Sequence, residues 1–181
     1  MPLGVTFRSM SAASPLAAWK KIASQSLGVA ASSISFTGIA STYKMFRVTA
    51  YLIKDATPNT VNVRFNNDSG SNYTWQNLSG SNTSVSGSRN TQTHVGILSG
   101  GAVEPGEAAT VEFVVGKQLA GSPAMVISKA AVMAYTGGTP VIRIDDVAAI
   151  WNNTADLISR IDLISSSGNF DTGTVCVLEG V

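Results

Sequence analysis

The sequence predicts an all-β, antiparallel sandwich, and three observations predict it. Apolar and polar residues alternate with a period of two over short runs, most cleanly in Thr60 to Phe65 and Thr110 to Val115. Turn-forming Gly, Pro, Asn and Ser separate these runs at regular intervals. Helical periodicity never lasts the length of a helix. The one exception is Ala12 to Ser26, where Leu16, Trp19 and Ile22 would share a stripe; Trp19 to Leu27 also reads as a strand and is taken as the first.

The elements follow in order. Residues 1–18 are rich in Met, Ser, Ala and Pro and hold no period. They read as an N-terminal arm, either disordered or ordered on a neighbouring subunit through Phe7 and Met10. The sandwich domain then runs over residues 19–181. Ile34, Phe36 and Ile39 frame a short strand before a turn at Ser41-Thr42. Lys44 to Ile53 is a strand with Phe46, Val48, Ala50 and Leu52 on one face. In Thr60 to Phe65, Val61, Val63 and Phe65 point in, while Asn62 and Arg64 point out. Asn66 to Gln92 is the longest irregular stretch, a polar loop carrying Tyr73, Trp75, Leu78 and Val85; long ordered loops often carry function. Thr93 to Leu98 is a strand that includes His94. Thr110 to Val115 follows a Pro105-Gly106 turn, Met125 to Tyr135 is a long strand with small residues, and Val141 to Ile144 follows Gly137-Gly138. Ile158 to Ile164 has mixed spacing and reads as a strand with a bulge or a turn of helix. Thr174 to Leu178 closes the chain. About eight to ten strands with long crossing connections make the sandwich jelly-roll-like.

Composition narrows the function classes. Charged residues are 13% of the 181, about half the usual share, and small uncharged polar residues replace them. Such a surface is cheap to desolvate and suits packing against protein. The net charge is +1, and apart from Lys20-Lys21 the basic residues are scattered, so no electrostatic footprint for nucleic acid or an anionic membrane is present. No run approaches the roughly 18 apolar residues of a membrane span. Met1 to Arg8 lacks the apolar run of a cleaved signal, so synthesis in the cytoplasm without export is expected. The one cysteine, Cys176, excludes an internal disulfide and, within an apolar strand, reads as a core residue.

No constellation of catalytic residues stands out, and the expectation is a non-enzyme without cofactor or metal. The single histidine, His94, has no second His or Cys to share a zinc ion, and no Gly-x-Ser-x-Gly elbow accompanies it. Asp145 and Asp146 are adjacent on a strand and point to opposite faces, unlike a glycosidase pair; solvated edge carboxylates are expected. Asn66-Asn67-Asp68-Ser69-Gly70 offers oxygens in a turn, without the spacing of a calcium loop, and reads as a turn bonded to its own backbone. Gly100-Gly101 and Gly137-Gly138 lack the residues of a phosphate cradle. Asn-x-Ser/Thr sequons at Asn72, Asn77, Asn82 and Asn152 require secretion to matter. Tyr73 and Trp75 suit core or interface packing better than stacking on a sugar.

Three stretches carry a resemblance: Trp19-Lys20-Lys21-Ile22-Ala23 through Ser33 to Ile39 and Tyr43-Lys44; Val63-Arg64-Phe65-Asn66-Asn67-Asp68-Ser69-Gly70-Ser71-Asn72-Tyr73; and Ile161 to Ile164 with Ser167-Gly168-Asn169-Phe170 and Gly173 to Gly180. Together they resemble the jelly-roll modules of tailed-bacteriophage virion proteins, which occur on capsids and on tail fibres. The resemblance implies a structural virion protein, usually a homotrimer. A module that fills nearly the whole chain behind a short arm suits a capsid decoration (cement) protein on the capsid exterior. Its partner would be the major capsid protein, with Phe7, Met10, Trp19, Tyr73 and Trp75 as candidate contacts. The alternative is a tail-fibre component that recognises host-surface glycan.

Overall fold

The computed structural model describes residues 18–55, 60–98, 107–117, 120–136 and 139–181. Most of the expected arm, with Phe7 and Met10, lies outside these residues, as do Gly100-Gly101, Pro105-Gly106 and Gly137-Gly138. The described chain is all-β. Its strands are β1 (Lys20–Ser26), β2 (Ser33–Thr37), β3 (Met45–Ile53), β4 (Val61–Phe65), β5 (Tyr73–Ser81), β6 (Ser84–Gln92), β7 (Val95–Leu98), β8 (Ala108–Gly116), β9 (Ala124–Thr136), β10 (Thr139–Trp151), β11 (Arg160–Ser165) and β12 (Val175–Gly180).

Pairing follows a rolled hairpin. Antiparallel ladders join β1 to β12, β2 to β11, β3 to β8 and β4 to β7, as if one long hairpin had been folded over. Two further ladders, β12 to β3 and β11 to β4, close the roll. The result is two sheets, β1-β12-β3-β8 and β2-β11-β4-β7, which is jelly-roll connectivity. The remaining strands continue the first sheet as β9-β10-β5-β6, so it holds eight strands against four in the other.

Alternation builds the core. Phe46, Val48, Ala50 and Leu52 of β3 are buried, as are Ala109, Val111, Phe113 and Val115 of β8. At one end of the sandwich Phe65, Tyr73 and Trp151 form an aromatic group, with the Phe65 and Trp151 ring centroids 5.5 Å apart. Each such side chain contributes about 1.5–3 kcal/mol through burial. The closing strand ends on Gly180, where a Cβ would stand 2.6 Å from the Tyr43 ring and 2.7 Å from Ile22; only glycine lets these two side chains seat there.

Several expectations are corrected. The described residues hold twelve strands where about eight to ten were expected. The polar loop expected over Asn66 to Gln92 contains the β5–β6 hairpin, concealed because β6 is an edge strand exposed along most of its length and therefore lacks apolar alternation. The strand expected at Val141 to Ile144 runs on to Trp151. Ile158 to Ile164 holds no helix: β11 begins at Arg160, and its mixed spacing arises because Ile161, Asp162 and Leu163 are all buried. Asn62, expected outside, is 7% exposed. His94 lies in a bend just ahead of β7.

Candidate functional site

Of the predicted contact residues in the described chain, only Trp19 stands at the surface. It is half-buried, with the Arg47 guanidinium 5.0 Å from its ring, and Arg47 is paired in turn to Glu179 at 2.6 Å. Tyr73 is fully buried and Trp75 is 6% exposed, so neither ring presents an open face on which a sugar could stack. Tyr73 was sequestered because β5 turns its odd-numbered residues inward.

The Asn66 to Tyr73 segment is a structural clasp. Asn66 and Asn67 adopt left-handed backbone (φ 52° and 57°), which Asn tolerates better than most residues. Asn66 Oδ1 accepts from the Ser159 and Arg160 N–H groups, and its Nδ2 donates to the Leu157 carbonyl at 2.8 Å, tying the turn to the entry of β11. The Asp68 carboxylate accepts from Trp151 Nε1 at 2.7 Å, the Gly70 N–H at 2.8 Å and Asn72 Nδ2 at 2.9 Å. These bonds hold it below the usual carboxylate range, against the opposing effect of burial. Its oxygens are thus committed to N–H donors, which favours the plain-turn reading. No group of three or more His, Cys, Asp or Glu side chains able to hold a metal occurs among the described residues.

Other candidates also resolve into structure. Asp145 and Asp146 do face opposite sides, but Asp145 is fully buried rather than solvated, with Asn77 Nδ2 at 3.1 Å and Arg143 Nε at 3.3 Å. Burial and the nearby Arg64 charge lower the pKa of His94. The Cys176 thiol is buried and pushed up to about 12. Lys54 escaped notice in the sequence. It is fully buried, donates to Ser165 Oγ at 2.7 Å and lies 4.5 Å from the Phe170 ring centroid. Burial lowers its pKa from 10.5 to about 8, partly opposed by Asp55.

What the fold does present is one apolar face. Twelve large hydrophobic side chains are exposed among the described residues; apart from Val29, the other eleven all lie on the outer side of the eight-stranded sheet. Met125 (59%) and Ile127 (65%) stand with Ile150 at one end of the β9–β10 ladder, and Ile142 (74%) and Ile144 (54%) with Met133 towards the other, on either side of the Lys129–Asp146 row. Register sets Val114, Ile127 and Ala148 in one row across three strands, and Glu112, Lys129, Asp146 and Leu78 in the next. The face is hollowed into a trough of about 830 Å³. One charged row crosses it, with Lys129 Nζ 3.5 Å from Asp146; an exposed pair of this kind contributes little stability. Concentrations of exposed apolar side chains on one face mark interaction sites. Its sequence signal is apolar residues at both parities, as in Met125-Val126-Ile127 and Val141-Ile142, which a half-solvated antiparallel strand would not carry. Trp19 and Arg47 border the same face.

A second concavity lies at the edge of the smaller sheet, a pocket of about 340 Å³ lined by Asn62, Trp75, Gln92, His94 and Gly96 among others. The chain matches no family model, no curated protein and no solved structure.

Proposed function

We propose that this chain is a non-enzymatic structural component of a tailed-phage virion, a decoration protein that binds across major capsid protein subunits and stabilises the head. The observation that supports an assembly role is the set of eleven large hydrophobic side chains exposed on the outer side of the eight-stranded sheet. The virion and the capsid enter through the resemblance of the Trp19, Phe65-Asn66-Asn67-Asp68 and C-terminal motifs. Homotrimers seated where capsid subunits meet would add interface that must be broken before those subunits part, with a standard interface burying roughly 1,600 Å². Expanded heads prepared without the protein should bind it saturably and disrupt at a higher temperature once it is bound. Equal heat stability with and without it would sink the proposal. A second reading, a tail component that recognises host-surface glycan, draws support from the uncharged polar pocket beside Trp75. Under that reading, labelled protein coats host cells and leaves heads bare.

A further inference from the structure

The pocket at the edge of the smaller sheet is built in an unusual way. Asn62 sits in β4 between the core residues Val61 and Val63, where an apolar side chain would be cheaper, and it is 7% exposed. Its side-chain amide, like that of Gln92 at the end of β6, makes no hydrogen bond and keeps some contact with solvent. The Trp75 indole Nε1–H is buried without a partner, although Trp75 as a whole is 94% covered. His94 makes only a long contact, 3.4 Å from Nδ1 to Thr93 Oγ1. Buried donors in folded proteins are nearly always satisfied, so the unpartnered Trp75 N–H beside this cavity calls for an explanation.

The backbone is shaped to gather them. The β4–β7 ladder shifts register between Val61 and Asn62, an irregularity that re-aims side chains and tends to occur beside binding sites. Gly96 lies opposite Asn62, and its missing side chain admits the Trp75 ring: a Cβ there would stand 3.2 Å from it. The indole is thereby carried from the larger sheet to the rim of the smaller one. Among the described residues the lining groups are uncharged; His94 is held towards its neutral form by burial and by Arg64. Neither a phosphate nor a carboxylate would find a counter-charge among the described lining residues. A cavity of about 340 Å³ is at the small end of ligand sites.

We infer that this pocket binds one uncharged sugar residue, free or at the end of a glycan, through hydrogen bonds from Trp75 Nε1, Asn62 and Gln92. The inference concerns the smaller sheet alone and does not depend on whether the chain decorates a head or a tail. The test uses the full chain labelled with ¹⁵N and titrated with neutral hexoses and N-acetylhexosamines, free and as short oligosaccharides, up to tens of millimolar. One of these should move the Trp75 indole N–H resonance saturably, leaving that of Trp151, already bonded to Asp68, in place. Trp75→Phe identifies the resonance. Gln92→Ala, at a half-buried strand end, keeps the fold and should weaken binding at least tenfold. If only the oligosaccharides act, the ligand is a chain terminus; if the monosaccharides suffice, it is the free sugar. No movement of the Trp75 resonance with any of them, or saturation unchanged in Gln92→Ala, would overturn the inference and leave the pocket to water.

Discussion

Lys54 is a cation held where an apolar side chain would fit. With its pKa lowered from 10.5 to about 8, the folded chain releases a proton that the unfolded chain keeps across that window. Stability from this group therefore rises as pH climbs from about 8 towards 10.5 and is lost as pH falls back through 8. At about 1.4 kcal/mol per unit, the ceiling is about 3 kcal/mol. Cys176 runs the other way: its thiol is raised from 9.0 to about 12, so its contribution is complete below 9 and falls as pH rises towards 12. Comparing Lys54→Met with the wild type by urea unfolding at both ends of the Lys54 window separates the two effects. The wild type should gain on the variant as pH rises; a constant difference would mean that the amine stays protonated throughout. Nothing in the sequence marks Lys54, because burial of a lysine depends on what the roll brings over it, here Ser165 and Phe170, more than a hundred residues away. Asp68 was more legible. Its neighbours Asn66, Asn67 and Gly70 announce a turn, although the bond from Trp151 across the sandwich does not show.

Among the elements, β9 and β10 carry the argument for assembly. If their outer face packs against protein, Ile127→Lys with Ile144→Lys should convert an oligomer to monomer in sedimentation velocity. The monomer's own stability should stay within about 0.5 kcal/mol, since both side chains are more than half exposed. An oligomer that persists would move the interface elsewhere. The core strands β3, β4 and β8 could be read directly because one face of each is buried and Val, Phe and Leu recur at every second residue. The β5–β6 hairpin could not. Asn77 and Ser79 occupy inward positions on β5, and β6 is an edge strand exposed along most of its length, so polarity there imitates a loop. The same hairpin carries Trp75 and Gln92 to the pocket, which is why that site was invisible while Trp75 itself was noticed.

The molecule as a whole is organised by pairings between chain segments far apart. β1 waits for β12 and β2 for β11, and β3 and β4 also pair with these last strands, so four of the ten ladders among the described residues cannot form until nearly the whole chain is present, a topology associated with slow folding. A sandwich with jelly-roll connections was within reach of the strand spacing; the exact order, with two hairpins inserted to widen one sheet, was not, since spacing carries no information on which edge receives an insertion. The roll also has a mechanical consequence. Lys20 at the start of β1 faces Gly180 at the end of β12, so tension applied between the two ends of the domain opens that ladder one pair at a time, like a zip, instead of shearing all its bonds together. Force spectroscopy with handles at Ala18 and Val181 should therefore peel β1 away at low load before the rest yields. A tether through those ends would therefore carry little load, whereas load spread over the broad face of β9 and β10 does not act along the β1–β12 ladder.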